Sequence, residues 1–186
     1  MKTFMMIDCE ALARTANAVV LSIGACTYDV DGIRESVELF PTIAPQVADG
    51  REIDDETLMW WFGQPESARK SIINGDRQPL AVLADEFVEW SHNQRALAGG
   101  KENLWFSAFG NDFDLPLVNT LLGKFRTMPW EGRPNYRNKM CLRALNELYA
   151  KDIVWPEGPV AHTARQDSIN QAKAHISLLQ KFPDMR

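Results

Sequence analysis

The chain has 186 residues, 45% of them hydrophobic and 10% aromatic, with a formal net charge of −5 at pH 7. This length and composition are typical of a folded globular protein, so we expect one domain over residues 1–186 rather than a disordered or fibrous chain. No apolar run approaches the roughly 20 residues that span a bilayer, and two acids interrupt the apolar N-terminus, so we expect no membrane-spanning segment, no signal peptide and a cytoplasmic location.

The first third of the chain predicts three strands. Residues 5–7 form a short apolar run that ends at Asp8, and residues 18–28 are rich in β-branched side chains. A D-V-D-G turn leads from that second strand into residues 33–40, which carry alternating apolar side chains. Strands joined by such short connections pair antiparallel, so we expect a meander.

The remainder of the chain predicts helices interrupted by one strand. Apolar residues at spacings of three and four indicate an amphipathic helix over residues 79–90, and Pro65 divides two short helices within residues 54–73. A short apolar run predicts a strand over residues 104–109. Further helices are predicted over residues 115–122, 138–149 and 164–179, and a loop over residues 127–136. Strands followed by alternating helices and strands indicate an α/β fold, in which helices flank a mixed β-sheet.

Two carboxylates stand at the end of the first predicted strand. Asp8 and Glu10 are two residues apart, so their side chains point to the same face of the strand, and Cys9 points to the other. Adjacent carboxylates repel each other unless a cation joins them, and Mg²⁺ and Mn²⁺ prefer carboxylate oxygens. D-x-E is a common tripeptide, and an ordinary solvated strand end is the alternative.

A second pair of acids precedes the helix predicted over residues 115–122. Aspartate is a favoured N-cap, so one of Asp112 and Asp114 is expected to cap this helix. The apolar ring of Phe113 would anchor the turn and fix the direction of the next side chain. We therefore assign Asp114 to a cleft and Asp112 to the cap.

The last candidates, His162 and Asp167, stand at the start of the helix predicted over residues 164–179. At 100° per residue, Asp167 lies about opposite the apolar stripe of that helix, where it can face a cleft or be an ordinary solvated acid. A lone histidine is usually structural. However, a histidine near its working pKa can take a proton from a metal-bound water, which makes His162 a candidate general base.

Together these residues resemble the three motifs of the DnaQ-like 3′–5′ exonucleases of the DEDDh group. That family has D-x-E on the first strand, Phe-Asp at a helix start and a final H-x-x-x-x-D. The matching residues are Asp8 and Glu10, then Phe113 and Asp114, and then His162 and Asp167. The resemblance covers about residues 4–182 and implies a ribonuclease-H-like fold, an α/β mixed sheet flanked by helices.

The resemblance also implies a reaction. Four acids (Asp8, Glu10, Asp114 and Asp167) would hold two divalent cations, Mg²⁺ or Mn²⁺, and His162 would deprotonate the attacking water. The products would be nucleoside 5′-monophosphates, released from the free 3′ end of a single-stranded nucleic acid. The net negative charge argues only weakly against this partner, because bound cations would neutralise four of the acids. Members of the family are often dimers, which makes a homodimer a further expectation to test.

A narrower resemblance bears on the substrate. Residues 56–69 are similar to a segment of phage exonuclease A and of the related mycobacterial-type exoribonucleases. The phage-like motifs favour DNA slightly, with RNA as the alternative. Trp60 and Trp61 could stack on unpaired bases, although side chains 100° apart on a helix leave at least one of them in the core.

Three other residues complete the candidate substrate contacts. Leu12 lies where the family wedges an apolar side chain against the terminal base, and Phe113 borders the second motif. Relatives often have an Asp followed two residues later by an Arg. This chain has Cys141 in place of that Asp, and Arg143 matches the Arg. The competing hypotheses are an inactive nucleic-acid-binding domain of the same fold and a hydrolase of nucleotides or short oligomers.

Overall fold

The computed structural model describes residues 2–131, 138–156 and 162–185. Within these ranges a single six-stranded sheet is surrounded by helices. The strands, in chain order, are β1 (Thr3–Ala11), β2 (Val20–Asp29), β3 (Gly32–Pro41), β4 (Arg77–Gln78), β5 (Leu104–Ala108) and β6 (Lys139–Cys141). The helices are α1 (Ile43–Ala48), α2 (Asp55–Gly63), α3 (Glu66–Ile73), α4 (Leu80–Leu97), α5 (Asp114–Leu122), α6 (Leu142–Leu148) and α7 (Ala164–Lys181), and a 3₁₀ turn spans Pro183–Met185. None of the helices within the described ranges combines the length and hydropathy needed to cross a membrane.

The sheet has the strand order β4-β3-β2-β1-β5-β6. β1, β2 and β3 pair antiparallel, which confirms the predicted meander. The outer strands are parallel to their neighbours: β5 joins β1, β6 joins β5, and β4 joins β3. The sheet is therefore mixed, and the predicted α/β class is confirmed.

The central strand β1 is buried on both faces. The alternation of its side chains between these faces determines where the acids point. Met5 and Ile7 pack with α4 and α5 in one hydrophobic cluster, whereas Phe4 and Met6 pack with α6 and α7 in another. Successive side chains alternate between the faces of a strand. The even-numbered residues that follow, beginning with Asp8, therefore continue the face that α7 covers.

One predicted helix is partly wrong. Residues 139–141 of the helix predicted over 138–149 form β6, which pairs in parallel with Phe106–Ala108, and α6 begins only at Leu142. Three residues are too few to show a strand period, and the free edge of β5 decides their conformation instead. Two short elements, α1 and β4, were not predicted. The loop predicted over residues 127–136 is irregular from 127 to 131, and the rest of it lies outside the described residues.

A buried histidine lies on the inner face of α7. The ring of His175 is 1% exposed, packs edge-on against Phe4, and its Nδ1 lies 2.9 Å from the Tyr28 hydroxyl. Burial lowers the pKa of His175 from 6.5 to about 4. The unfolded chain therefore takes up a proton below about pH 6.5 that the folded protein does not accept until about pH 4.

His175 thus predicts a loss of stability in acid. As the pH falls from 6.5 to 4, its contribution should lower the free energy of unfolding by about 3 kcal/mol, at about 1.4 kcal/mol per pH unit. Denaturant unfolding at several pH values measures this slope. His175→Asn should show a slope smaller by one proton in this window, whereas His92→Asn, at an exposed histidine, should keep it. Equal slopes in both variants would contradict the assignment.

Candidate active site

The first two acids, Asp8 and Glu10, lie near the end of β1, where this strand pairs with β2. Asp8 lies opposite Gly24 and Glu10 lies opposite Ser22 in the antiparallel ladder. Both carboxylates point toward α7, as the strand period predicted. Asp8 Oδ1 accepts a 2.7 Å hydrogen bond from Nε2 of Gln171 on α7. The strand and the helix thus meet at the acid pair.

Gly24 allows this close approach. A Cβ at Gly24 would overlap the backbone of Ala164 and Arg165, the first two residues of α7. Only glycine therefore lets the start of α7 lie directly on β2, beside Asp8. The sequence carried a signal that the prediction did not use, because a glycine within a strand of β-branched residues marks a close backbone approach.

The third acid begins α5, as predicted. Asp114 is 5% exposed, and its Oδ1 accepts a 3.2 Å hydrogen bond from the backbone N–H of Cys9. The predicted cap is wrong: Phe113 occupies the N-cap position, its side chain makes no capping hydrogen bond, and Asp112 is exposed. The backbone N–H of Asp114 instead bonds to the carbonyl of Gly110, so the preceding turn satisfies it.

The last acid and the histidine stand at the start of α7. Thr163 caps this helix by accepting the backbone N–H of Gln166 at 3.2 Å. The cap fixes the first turn, and one ligand atom from each of Glu10, His162 and Asp167 then lies within 4.8 Å of the others. Residues 152 positions apart in the chain therefore meet in one place.

Electrostatics tie all four acids into one cluster. The pKa of Glu10 is raised from 4.5 to about 9, first by burial and then by the carboxylates of Asp8, Asp167 and Asp114. The pKa of Asp8 rises to about 7, first through burial. The pKa of Asp114 also rises through burial and through Asp8. For Asp167 burial again raises the pKa, whereas the nearby His162 lowers it.

This cluster fits a pair of hard divalent cations. Four buried or half-buried carboxylates repel one another, and a bound cation is what relieves such repulsion. Carboxylate oxygens are the ligands that Mg²⁺ and Mn²⁺ prefer. Gln171, which donates to Asp8 through Nε2, leaves its Oε1 buried without a hydrogen-bond partner among the described residues. Gln171 was missed from the sequence, because a glutamine one turn after Asp167 carries no motif of its own.

His162 is held at the edge of the cluster. Its backbone has φ 45°, in the left-handed region that few non-glycine residues adopt. Its ring packs edge-on against Trp60, with the ring centroids 5.1 Å apart. An uncommon backbone conformation and an aromatic contact thus direct the imidazole toward Glu10 and Asp167.

The paired tryptophans divide as predicted into one core and one exposed residue. Trp61 is 4% exposed, and its Nε1 donates a 3.0 Å hydrogen bond to the Ala11 carbonyl. Trp60 is 46% exposed. Both tryptophans and Phe113 line a pocket of about 470 Å³ that also contains Glu10. Leu12 is half-buried and packs against Trp61, so it supports the wall of this pocket.

A second cleft, of about 1000 Å³, adjoins this pocket at Glu10 and Trp60. Its lining includes Asp8, Glu10, His162 and Asp167. Arg143 also lines it, with its guanidinium carbon 5.1 Å from the centre of the Phe109 ring. Asp114 lines a third pocket, together with Asp8. All the candidate residues except Leu12 therefore border one of three adjoining pockets around the acid cluster.

Comparison with known proteins gives a family match. The family model described as 3′-5′ exoribonuclease Rv2179c-like domain matches residues 3–179. This match confirms the predicted resemblance to the DnaQ-like 3′–5′ exonuclease superfamily. No curated protein matches the chain significantly.

Solved structures share the fold at low identity. The zinc-bound complex of Escherichia coli exonuclease I with single-stranded DNA has a TM-score of 0.64 and 16% identity. A complex of the same enzyme with a dT13 oligonucleotide has a TM-score of 0.62 and 16% identity, and its apo form has 0.58 and 14%. All of this chain is covered, but it spans only 42–43% of those chains. The likeness confirms the predicted ribonuclease-H-like fold.

Proposed function

Because the chain belongs to the Rv2179c-like 3′-5′ exoribonuclease domain family, we propose that it is a metal-dependent enzyme that removes nucleotides from the 3′ end of single-stranded nucleic acid. The observation that carries this proposal is the convergence of four carboxylates and one histidine in one cluster, in which Asp8, Glu10, Asp167 and His162 line the larger cleft and Asp114 lies beside Asp8. An inactive binding domain has no need to hold four repelling acids together, which is costly without a cation.

The metal ligands in this proposal are Asp8, Glu10, Asp114 and Asp167. Two divalent cations held there, Mg²⁺ or Mn²⁺, would supply an activated water and neutralise the phosphate and the leaving 3′ oxygen. Gln171 would hold one oxygen of Asp8 in place through its 2.7 Å hydrogen bond. Residues that orient metal ligands are often nearly as important as the ligands themselves.

His162 is the proposed general base. Its ring lies within 4.8 Å of the carboxylates of Glu10 and Asp167, so an imidazole nitrogen can reach a water bound among them. The Asp167 carboxylate stabilises the imidazolium that forms when the proton arrives. The edge-on contact with Trp60 keeps the ring from turning away from the acids.

The pocket beside Glu10 is proposed to hold the terminal nucleoside. Trp60, half exposed, offers a face for base stacking, and Phe113 closes the pocket from the side of the second motif. Base–aromatic stacking is tolerant of sequence and is worth about 1–3 kcal/mol per base. Trp61 also lines the pocket although it is largely buried, and Leu12 packs against the hydrophobic cluster that contains Trp61.

The choice between DNA and RNA depends on what meets the 2′-hydroxyl. The sequence favoured DNA slightly, whereas the family description names an exoribonuclease. Arg14 and Glu56 also line the terminal pocket, and Arg14 donates a 2.6 Å hydrogen bond to Glu56. These polar groups are the ones available to a ribose, so RNA is retained as the second candidate substrate.

Digestion of matched DNA and RNA oligonucleotides tests the proposed function. With a 5′ label and Mg²⁺ or Mn²⁺, the bands should shorten one nucleotide at a time, and nucleoside 5′-monophosphates should accumulate. A chelator should abolish the reaction, because the acid cluster would lose its cations. Internal cleavage, or a rate that is unaffected by the chelator, would contradict the proposal. A parallel assay with a dinucleotide as substrate distinguishes the two hypotheses, because a hydrolase of short oligomers would prefer the dinucleotide to the long strands.

The cytoplasmic location and the homodimer expected from the sequence stay predictions. Size-exclusion chromatography with light scattering measures the second of these directly.

A further inference from the structure

An aromatic and cationic wall stands across the larger cleft from the terminal-nucleoside pocket. Trp155 is 39% exposed, and its ring packs edge-on against Phe109 with 5.8 Å between the centroids. Its Nε1 donates a 3.0 Å hydrogen bond to Asn146, which orients the indole. Arg143 lies over the Phe109 ring. The wall therefore presents one oriented aromatic surface and one cation.

The wall has local causes in the fold. Phe109 directly follows β5, and its carbonyl accepts a 2.9 Å hydrogen bond from the backbone N–H of Arg143 at the start of α6. This bond places the arginine next to the ring that it covers. Two structural elements thus hold the wall in place without a ligand.

Helix α7 forms the opposite side of the same cleft with polar residues. Gln166 donates a 3.0 Å hydrogen bond to Asn170, and Lys173 follows along the helix. Their spacing of three and four residues places them on one face. The cleft is therefore aromatic and cationic on one side, polar and cationic on the other, and acidic at its base.

The direction of a bound strand follows from the two depressions. The terminal nucleoside occupies the pocket of Trp60 and Trp61, and the scissile phosphate lies at the acids. The next nucleotide must then extend past the acids into the adjoining cleft, which Phe109 and Trp155 border. A volume of about 1000 Å³ is at the upper end of the range for small-ligand sites, which leaves room for this nucleotide.

We propose that Phe109, Arg143 and Trp155 form a subsite for the penultimate nucleotide, in which Trp155 stacks on the base and Arg143 binds the phosphate on its 5′ side. This subsite rests on the proposed exonuclease function. An oriented indole provides a face for any base, and a guanidinium binds phosphate strongly. The enzyme should consequently distinguish a strand that carries a base at the penultimate position from one that lacks it.

The test compares two oligonucleotides that differ only by an abasic penultimate nucleotide. For the wild-type protein, the abasic strand should have a kcat/KM lower by about 5- to 150-fold, the loss expected for one stacked base. In Trp155→Ala the ratio of kcat/KM for the intact strand to that for the abasic strand should fall to about one, because the base has lost its stacking partner. Trp155→Phe should keep most of the ratio, which separates lost stacking from misfolding.

A matched control is Phe125→Ala, because Phe125 is 40% exposed and lies just beyond α5, outside the residues that line the cleft. This variant should keep the wild-type ratio. An abasic ratio near one in the wild type, or an unchanged ratio in Trp155→Ala, would overturn the subsite while leaving the exonuclease intact. A wild-type protein that shortens neither strand from its 3′ end would instead overturn the proposed function itself.

Discussion

Replacing His162 by alanine is expected to lower the turnover number by about 10²- to 10⁴-fold, the usual contribution of a positioned general base. A ring nitrogen of His162 lies within 4.8 Å of the carboxylates of Glu10 and Asp167, and His162 is not among the proposed metal ligands, so it can accept a proton while the acids hold cations. Alanine removes the acceptor and leaves all four carboxylates in place. Single-turnover hydrolysis of a labelled oligonucleotide with saturating metal measures the loss.

The same variant should still bind metal, because His162 is not among the four proposed ligands. The rise in melting temperature on adding Mn²⁺ should therefore be close to that of the wild type. His92→Ala, at an exposed histidine on α4, serves as the matched control and should keep full activity. If His162→Ala retained the wild-type rate, the proton would have another acceptor and the assignment would be wrong.

The acids of the site were predictable because their spacing has a direct geometric meaning. Residues two apart on a strand share a face, which placed Asp8 and Glu10 together, and the motif order indicated Asp114, His162 and Asp167. What the sequence could not supply was the contact between them. That contact depends on Gly24, where the absence of a side chain lets α7 reach β2, and no local pattern states which helix a glycine will meet.

Two wrong or missing assignments have the same cause. The capping propensity of Asp112 was outweighed by the turn at Gly110, whose carbonyl already accepts the N–H of Asp114. The strand at residues 139–141 exists because β5 has a free edge to pair with. For the tryptophan pair, helix geometry predicted that one residue would be buried, and the hydrogen bond from Trp61 to Ala11 decided which. In each case a hydrogen bond to the backbone, and not the residue's own propensity, decided the outcome.

Glu10→Gln is expected to remove most of the activity and yet make the metal-free protein more stable. Burial, and then the carboxylates of Asp8, Asp167 and Asp114, raise the pKa of Glu10 to about 9. The unfolded chain ionises Glu10 above about pH 4.5, whereas the folded protein keeps it protonated up to about pH 9. Its contribution to stability is therefore full below pH 4.5 and is lost as the pH rises through this window.

Glutamine cannot ionise, so the variant escapes this loss. At pH 7 and without metal, Glu10→Gln should unfold with a free energy about 3 kcal/mol higher than the wild type, at about 1.4 kcal/mol per pH unit. The difference should shrink toward pH 4.5. Denaturant titrations in chelator at pH 5, 7 and 8 measure it, with Glu86→Gln, at an exposed glutamate on α4, as the control that should not change.

Activity should move in the opposite direction. Loss of one ligand weakens cation binding, and a bound cation supplies several kcal/mol of transition-state stabilisation, so the rate should fall by roughly 10³-fold. The stabilisation by Mn²⁺ that is expected for the wild type should also disappear. A variant that is less stable than the wild type in chelator, or that is still stabilised by Mn²⁺, would show that Glu10 is an ordinary buried acid. The opposite changes in stability and rate would follow from a single cause, because a carboxylate that is buried among other acids both destabilises the empty site and favours the binding of cations.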